Sequence, residues 1–142
     1  MHRILLPVDG SESSLHAVDH VIGLSQELGP LEVRLLNVQE PPIVYGEVAV
    51  YVSERAAEAQ RLDASERQLA DAARRLKEAG VPFTSQAREG HVADEIARVA
   101  EEEACQAIVM GTHGMGAVGN LVMGSVATKV IHRTRLPVTL VH

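Results

Sequence analysis

Aromatic residues are nearly absent: the chain has no Trp, and only Tyr45, Tyr51 and Phe83 carry an aromatic ring of the Phe/Trp/Tyr kind. A surface that tracks nucleic acid needs stacking rings on a basic ground. With a net charge of -6, this sequence supplies neither. The one cysteine, Cys105, cannot close an internal disulfide, which excludes a stapled scaffold. No apolar run approaches the roughly 18 residues of a membrane span. The opening run ends at Pro7 without a signal-peptide cleavage pattern, so cytoplasm is the expected compartment. Disorder is excluded as well, because 46% of the residues are hydrophobic and the net charge is modest. A chain of 142 residues is one domain, spanning 1–142, able to bury roughly 70% of its unfolded surface.

Acidic residues are missing from one region altogether. All 19 lie at or before Glu103, whereas the segment 104–142 carries Lys129, Arg133 and Arg135 and no Asp or Glu. The same segment holds five of the eleven glycines, between Gly111 and Gly124. Glycine-rich and acid-free backbone points to an anion site.

Along the chain, short apolar runs alternate with helical patterns. Strands are expected at 3–8 (RILLPV), 31–38 (LEVRLLNV), 81–88, 107–110 (AIVM) and 136–141 (LPVTLV). Between them, Leu15, Val18, Ile22 and Leu28 recur at helical spacing up to Gly29-Pro30. Leu62, Leu69 and Leu76 mark a long helix over 53–79, and Val92, Ile96 and Val99 mark a third. A fourth is expected over 125–132, while 40–52 reads as irregular. Strict alternation predicts an α/β fold: a doubly wound five-stranded parallel sheet of order 3-2-1-4-5 with helices on both faces.

Three phosphate motifs overlap in the glycine segment. Gly114-Met115-Gly116-Ala117-Val118-Gly119 fits GxGxxG, but no ribose-binding acid follows about 20 residues on. The run from Gly119 to Ser125 is a P-loop without its lysine. The third pattern is Gly111, two residues, Gly114, nine residues, then Gly124-Ser125. It begins at the carboxyl end of the fourth strand, where open parallel sheets bind ligands, and it ends by opening a helix whose free N–H groups face an anion. Gly111 and Gly114 would let backbone approach that anion closely. The alternative is a structural loop leading into tight helix packing. Asp9, at the end of the first strand, either accepts from a nucleoside or caps the helix near Ser11.

On these residues the chain resembles the universal stress protein family. The likeness rests on Ile4-Leu5-Leu6-Pro7-Val8-Asp9-Gly10-Ser11, on the strand ending at Val38, and on Gly90-His91-Val92-Ala93-Asp94-Glu95-Ile96. It closes with Ile108-Val109-Met110-Gly111-Thr112-His113-Gly114 and Gly124-Ser125-Val126-Ala127. The resemblance implies an ATP-binding member, with Mg²⁺ accompanying the nucleotide. Adenine and ribose would lie against Pro7, Val8, Asp9, Val38 and Met110, and the phosphates against Gly111, Gly114, Gly124, Ser125 and Val126. Ala127 completes the same helix turn, and His113 either reaches a phosphate or braces the loop. Gln106 stands where the family usually has an acid, and Asn37 where it usually has a histidine.

Catalysis finds less support. His16 and His20 have metal-pair spacing but no third ligand and lie opposite Val18. Cys105, entering a strand beside Glu101 to Glu103, is expected to have no nearby cation to lower its pKa. No general base or acidic Mg²⁺ cluster accompanies the phosphate site. The expected function is an ATP- and ADP-binding regulatory module in stress adaptation, not an enzyme beyond slow hydrolysis, and homodimeric through 136–141 as in similar proteins. Two other readings are an interaction module without nucleotide and a nucleotide-activating enzyme.

Overall fold

The computed structural model describes residues 2–41, 50–113 and 123–142, those at 50–54 by backbone alone. Its elements are β1 (His2–Pro7), α1 (Glu12–Leu28), β2 (Leu31–Gln39), α2 (Val50–Glu78), β3 (Phe83–Glu89), α3 (Val92–Glu102), β4 (Ala107–Gly111), α4 (Ser125–Arg133) and β5 (Val138–Val141). All strand pairs are parallel and the order is β3-β2-β1-β4-β5, as expected. The chain reverses direction across the sheet between β1 and β4, which makes that boundary the topological switch point.

Central strands are apolar on consecutive positions because both faces are covered. Leu5, Leu6, Leu35 and Leu36 are each fully buried, and they divide between two cores. On one face Leu6, Leu35 and Val109 meet Val18 and Val21 of α1 and Ala72 and Leu76 of α2. On the other, Leu5, Leu36, Ile108 and Met110 meet Ile96 and Val99 of α3 and Ala127 and Val130 of α4.

Element ends differ from the sequence expectation where backbone groups serve a cap. Val81 does not open β3: its N–H bonds the Leu76 carbonyl at 3.0 Å while Gly80 N–H bonds Lys77 at 3.1 Å, with Gly80 at φ +72. This is the paired closure of a helix C-terminus, and Pro82 has no N–H to extend the strand backwards. At the other end of the sheet, β5 is shorter than 136–141, since Leu136 N–H bonds the Thr134 hydroxyl at 3.1 Å and Pro137 has no donor. Ser11, not Asp9, caps α1, accepting from Ser14 N–H at 3.2 Å. Leu28 and Leu62 carry the helical pattern but are exposed, at 71% and 57%. α2 begins at Val50, and its first buried side chain among the described ones is Ser65, four turns later.

The amino-terminal edge of the sheet is held by charge. Arg34 bonds Glu103 at 3.1 Å and pairs with Glu32 at 2.5 Å, and Arg3 bonds the Glu103 carbonyl at 2.6 Å. The Arg34 hydrogen bond holds the Glu32 carboxyl below the usual range. Cys105 is buried beside this cluster, so the sequence expectation of no neighbouring cation is corrected: Arg3 and Arg34 both favour its thiolate. Burial outweighs them and pushes the thiol up. No helix among the described residues is long and apolar enough to cross a membrane.

Candidate functional site

A crevice opens at the carboxyl edge where β1 stops pairing. On the β4 side the register covers only Ile4 with Ala107 and Leu5 with Ile108. The next rung would need an N–H on Pro7, which proline lacks, so the ladder ends there. On the β2 side pairing ends at Pro7 with Leu36, after which Val8 N–H still bonds the Leu36 carbonyl at 2.8 Å. Both flanks of β1 therefore open within two residues of one another.

Beyond that point the chain turns through Asp9, whose Oδ1 accepts from Ser11 N–H at 2.9 Å and so braces the capping residue. The Val8 side chain is 4% exposed within the α1/α2 core, so Val8 meets the crevice through backbone only. The opposite wall is apolar. Val38 and Val126, both half-buried, pack with buried Met110 in the α3/α4 core.

Thr112 and Gly124 determine where the glycine segment returns. Gly124 N–H donates to the Thr112 carbonyl at 2.6 Å, so the excursion from 113 to 123 starts and finishes at one hydrogen bond. That closure sets the first turn of α4 beside the end of β4. Gly124 is the N-cap, with φ -74 and ψ 166, and neither a side-chain cap nor an acid neutralises the turn. The N–H groups of Ser125, Val126 and Ala127 begin a helix and have no intrahelical acceptor. They concentrate about half a positive charge at that end. Ala127 is buried and anchors the turn, while Ser125 is exposed.

Gly111 has a packing role of its own. A Cβ there would stand 2.7 Å from the Ser13 carbonyl carbon and 2.8 Å from Ser14 N, so its missing side chain admits the first turn of α1. Ser13 Oγ bonds the His113 carbonyl at 2.5 Å, and Ser11 Oγ bonds it at 3.3 Å. His113 Nδ1 lies 3.0 Å from the Thr112 hydroxyl, while its Nε2 is buried and has no partner among the described residues. What ties this residue to α1 is its carbonyl, held by two serine hydroxyls. Gly114 lies outside the described residues, as do most of the GxGxxG and P-loop-like runs.

Sequence reasoning noticed Asn37 only as a departure and missed Gln39, Ser65 and Gln68, which form a polar cluster beneath this crevice. The available signal was position: residues 33, 35, 37 and 39 of β2 share a face, and the last two are amides amid apolar neighbours. A cleft of about 380 Å³ lies between α1 and α2, lined by Leu15, Arg67 and Asp71 together with Asp9, Gly10 and Gln68. It does not meet the α4 amides. His16 and His20 are exposed, and no group of three metal-ligating side chains converges among the described residues.

A family model described as "Universal stress protein family" matches residues 1–142. The Thermus aquaticus "Universal stress protein in QAH/OAS sulfhydrylase 3'region" is 35% identical over 142 residues, covering 97% of this chain and 96% of that protein. Universal stress protein MJ0531 of Methanocaldococcus jannaschii is 32% identical over 139 residues, covering 98% and 81%. Among solved structures, hypothetical protein MJ0577 superposes with a TM-score of 0.82 at 28% identity, covering 98% and 94%. More distant structures share the fold: an Arabidopsis thaliana protein with AMP bound (TM-score 0.71, 16% identity, covering 99% and 91%) and the Archaeoglobus fulgidus protein in complex with dAMP (0.63, 18%, covering 100% and 98%).

Proposed function

The chain belongs to the universal stress protein family, and from that premise we propose that it binds an adenine nucleotide, ATP or ADP, as a homodimeric regulatory module in stress adaptation. The observation that carries this reading is the Thr112–Gly124 closure, which sets an uncapped helix end beside the apolar wall of Val38, Met110 and Val126. A nucleotide has matching ends. Its base is flat and apolar on both faces, and its phosphates need donors rather than cations alone. Proteins of this fold that carry AMP and dAMP lend support from outside the chain.

Mg²⁺ enters this proposal as the counter-ion of the phosphates, since no acidic cluster among the described residues converges on it. Binding is proposed over catalysis because the α4 turn offers donors without a carboxylate to activate water. Calorimetry with ATP, ADP and AMP on nucleotide-stripped protein, with mass spectrometry of nucleotide retained through purification, tests the reading. Saturable binding is expected. No heat and no retained nucleotide would leave an interaction module instead.

The dimer is proposed to form through β5, whose outer edge is open. Ile108 N–H bonds the Pro137 carbonyl and Thr112 N–H bonds the Val141 carbonyl, both at 2.9 Å, so odd-numbered residues of β5 face β4. The N–H groups of Val138 and Leu140 therefore point outward, where a second copy can pair. Thr139→Pro would instead break the inner ladder, because Thr139 faces β4. Val138→Pro is expected to give a monomer near 15.3 kDa by light scattering with ATP affinity within a few fold. A dimer that survives this change uses another surface.

A further inference from the structure

Asn37 is fully buried and uses its whole hydrogen-bonding capacity. Its Nδ2 donates to the Val8 carbonyl at 2.8 Å and to Gln68 Oε1 at 2.7 Å. Its Oδ1 accepts from Ser65 Oγ at 2.8 Å and from Gln39 Nε2 at 2.9 Å. Gln39 Nε2 also donates to Gln68 Oε1 at 3.0 Å. Only one orientation of the amides works. The Val8 carbonyl can only accept, which turns Asn37 Nδ2 toward it, and every other donor and acceptor in the cluster follows.

The Val8 carbonyl is where this matters. In β2, Leu36 bonds toward β1, while Val33 N–H and the Gln39 carbonyl bond toward β3. Val38 thus faces β1, and a continuing parallel ladder would carry its N–H onto the Val8 carbonyl. Asn37 donates to that carbonyl with its side chain, and the β1–β2 register stops at Leu36. The Gln68 that Asn37 holds also packs against the turn: its Cγ stands 3.0 Å from where a Cβ on Gly10 would be.

We propose that Asn37 is a positioning residue for the base end of the site: by capping the Val8 carbonyl it ends the ladder one rung early and leaves the Val38 N–H as an open donor at the switch point. A purine ring nitrogen is the acceptor chemistry that such a donor fits. The proposal rests on the nucleotide reading above, and its test separates the two. Amide exchange is followed by NMR on the full chain, with AMP as the probe. In ligand-free wild type, Val38 should exchange at least about tenfold faster than Leu36, and AMP should slow it by a similar factor. Asn37→Ala frees the Val8 carbonyl, so Val38 should become protected without ligand while AMP affinity falls about tenfold or more. Ser65→Ala removes one bond from the cluster and keeps the Val8 contact, so it should lower the melting temperature yet leave Val38 exchange and AMP affinity within about twofold. A protected Val38 in ligand-free wild type overturns the proposal, as does an Asn37→Ala protein that binds AMP like wild type. Should Asn37→Ala fail to fold, the wild-type exchange rates decide. Wild type that binds no AMP defeats the nucleotide reading, while ligand-free exchange still reports whether Asn37 keeps Val38 open.

Discussion

Replacing Gly124 with Asp is expected to abolish nucleotide binding while leaving the fold intact or slightly more stable. Gly124 is the N-cap of α4 at φ -74, a conformation open to any residue, and no acid lies in the following turn. An Asp side chain there accepts from the same first-turn N–H groups that a phosphate needs. It adds a few tenths of a kcal/mol as a cap relative to Gly and about 0.3–1 kcal/mol against the helix dipole. The same carboxylate repels the phosphates and removes their donors. Losing two charge-assisted contacts corresponds to roughly 3 kcal/mol or more, at least about 100-fold in affinity. Calorimetry with ATP and a melting curve on both proteins separate the effects. A folded variant with unchanged affinity would move the phosphates away from α4.

Gly111→Ala should act on stability first. Its Cβ would meet the Ser13 hydroxyl and, behind it, backbone that no side-chain rotation can move away, the Ser13 carbonyl carbon at 2.7 Å and Ser14 N at 2.8 Å. Either α1 or β4 must shift, and overpacking of this kind costs about 1–3 kcal/mol. A fall in melting temperature of roughly 3–12 °C is expected. Ser13 also holds the His113 carbonyl, so the same shift loosens the start of the glycine segment. A variant that melts with wild type would show that the α1–β4 approach yields freely.

Architecture was legible in the sequence because alternation of short apolar runs with helical periods leaves few topologies, and the order 3-2-1-4-5 is among them. Strand ends were less legible. Val8, Val81 and Leu136 are apolar and continue their runs, yet their backbone groups bond the Asn37 side chain, the Leu76 carbonyl and the Thr134 hydroxyl. Such diversions depend on partners elsewhere in the fold. The start of α4 was readable from Gly124-Ser125 because a helix start follows from local sequence. Gly111 was not, since a glycine looks the same whether it admits a ligand or a neighbouring helix. The buried amides were hidden for a related reason: Ser65 and Gln68 lie on α2, and nothing local says that they meet Asn37.

The central place of β1 also shapes how this chain leaves the ribosome. β1 is made first, but its partner β4 follows about a hundred residues later, with Ile4 pairing to Ala107. At typical synthesis rates of about 5–20 residues per second, that delay is roughly 5–20 seconds. Throughout it, a strand apolar on both faces has β2 on one side and nothing on the other. Nascent chains stalled before Ala107 should accordingly be far more sensitive to protease than those released beyond Val141. Pro7 limits the hazard, because a strand that ends in a residue without an N–H offers a stray chain a shorter template.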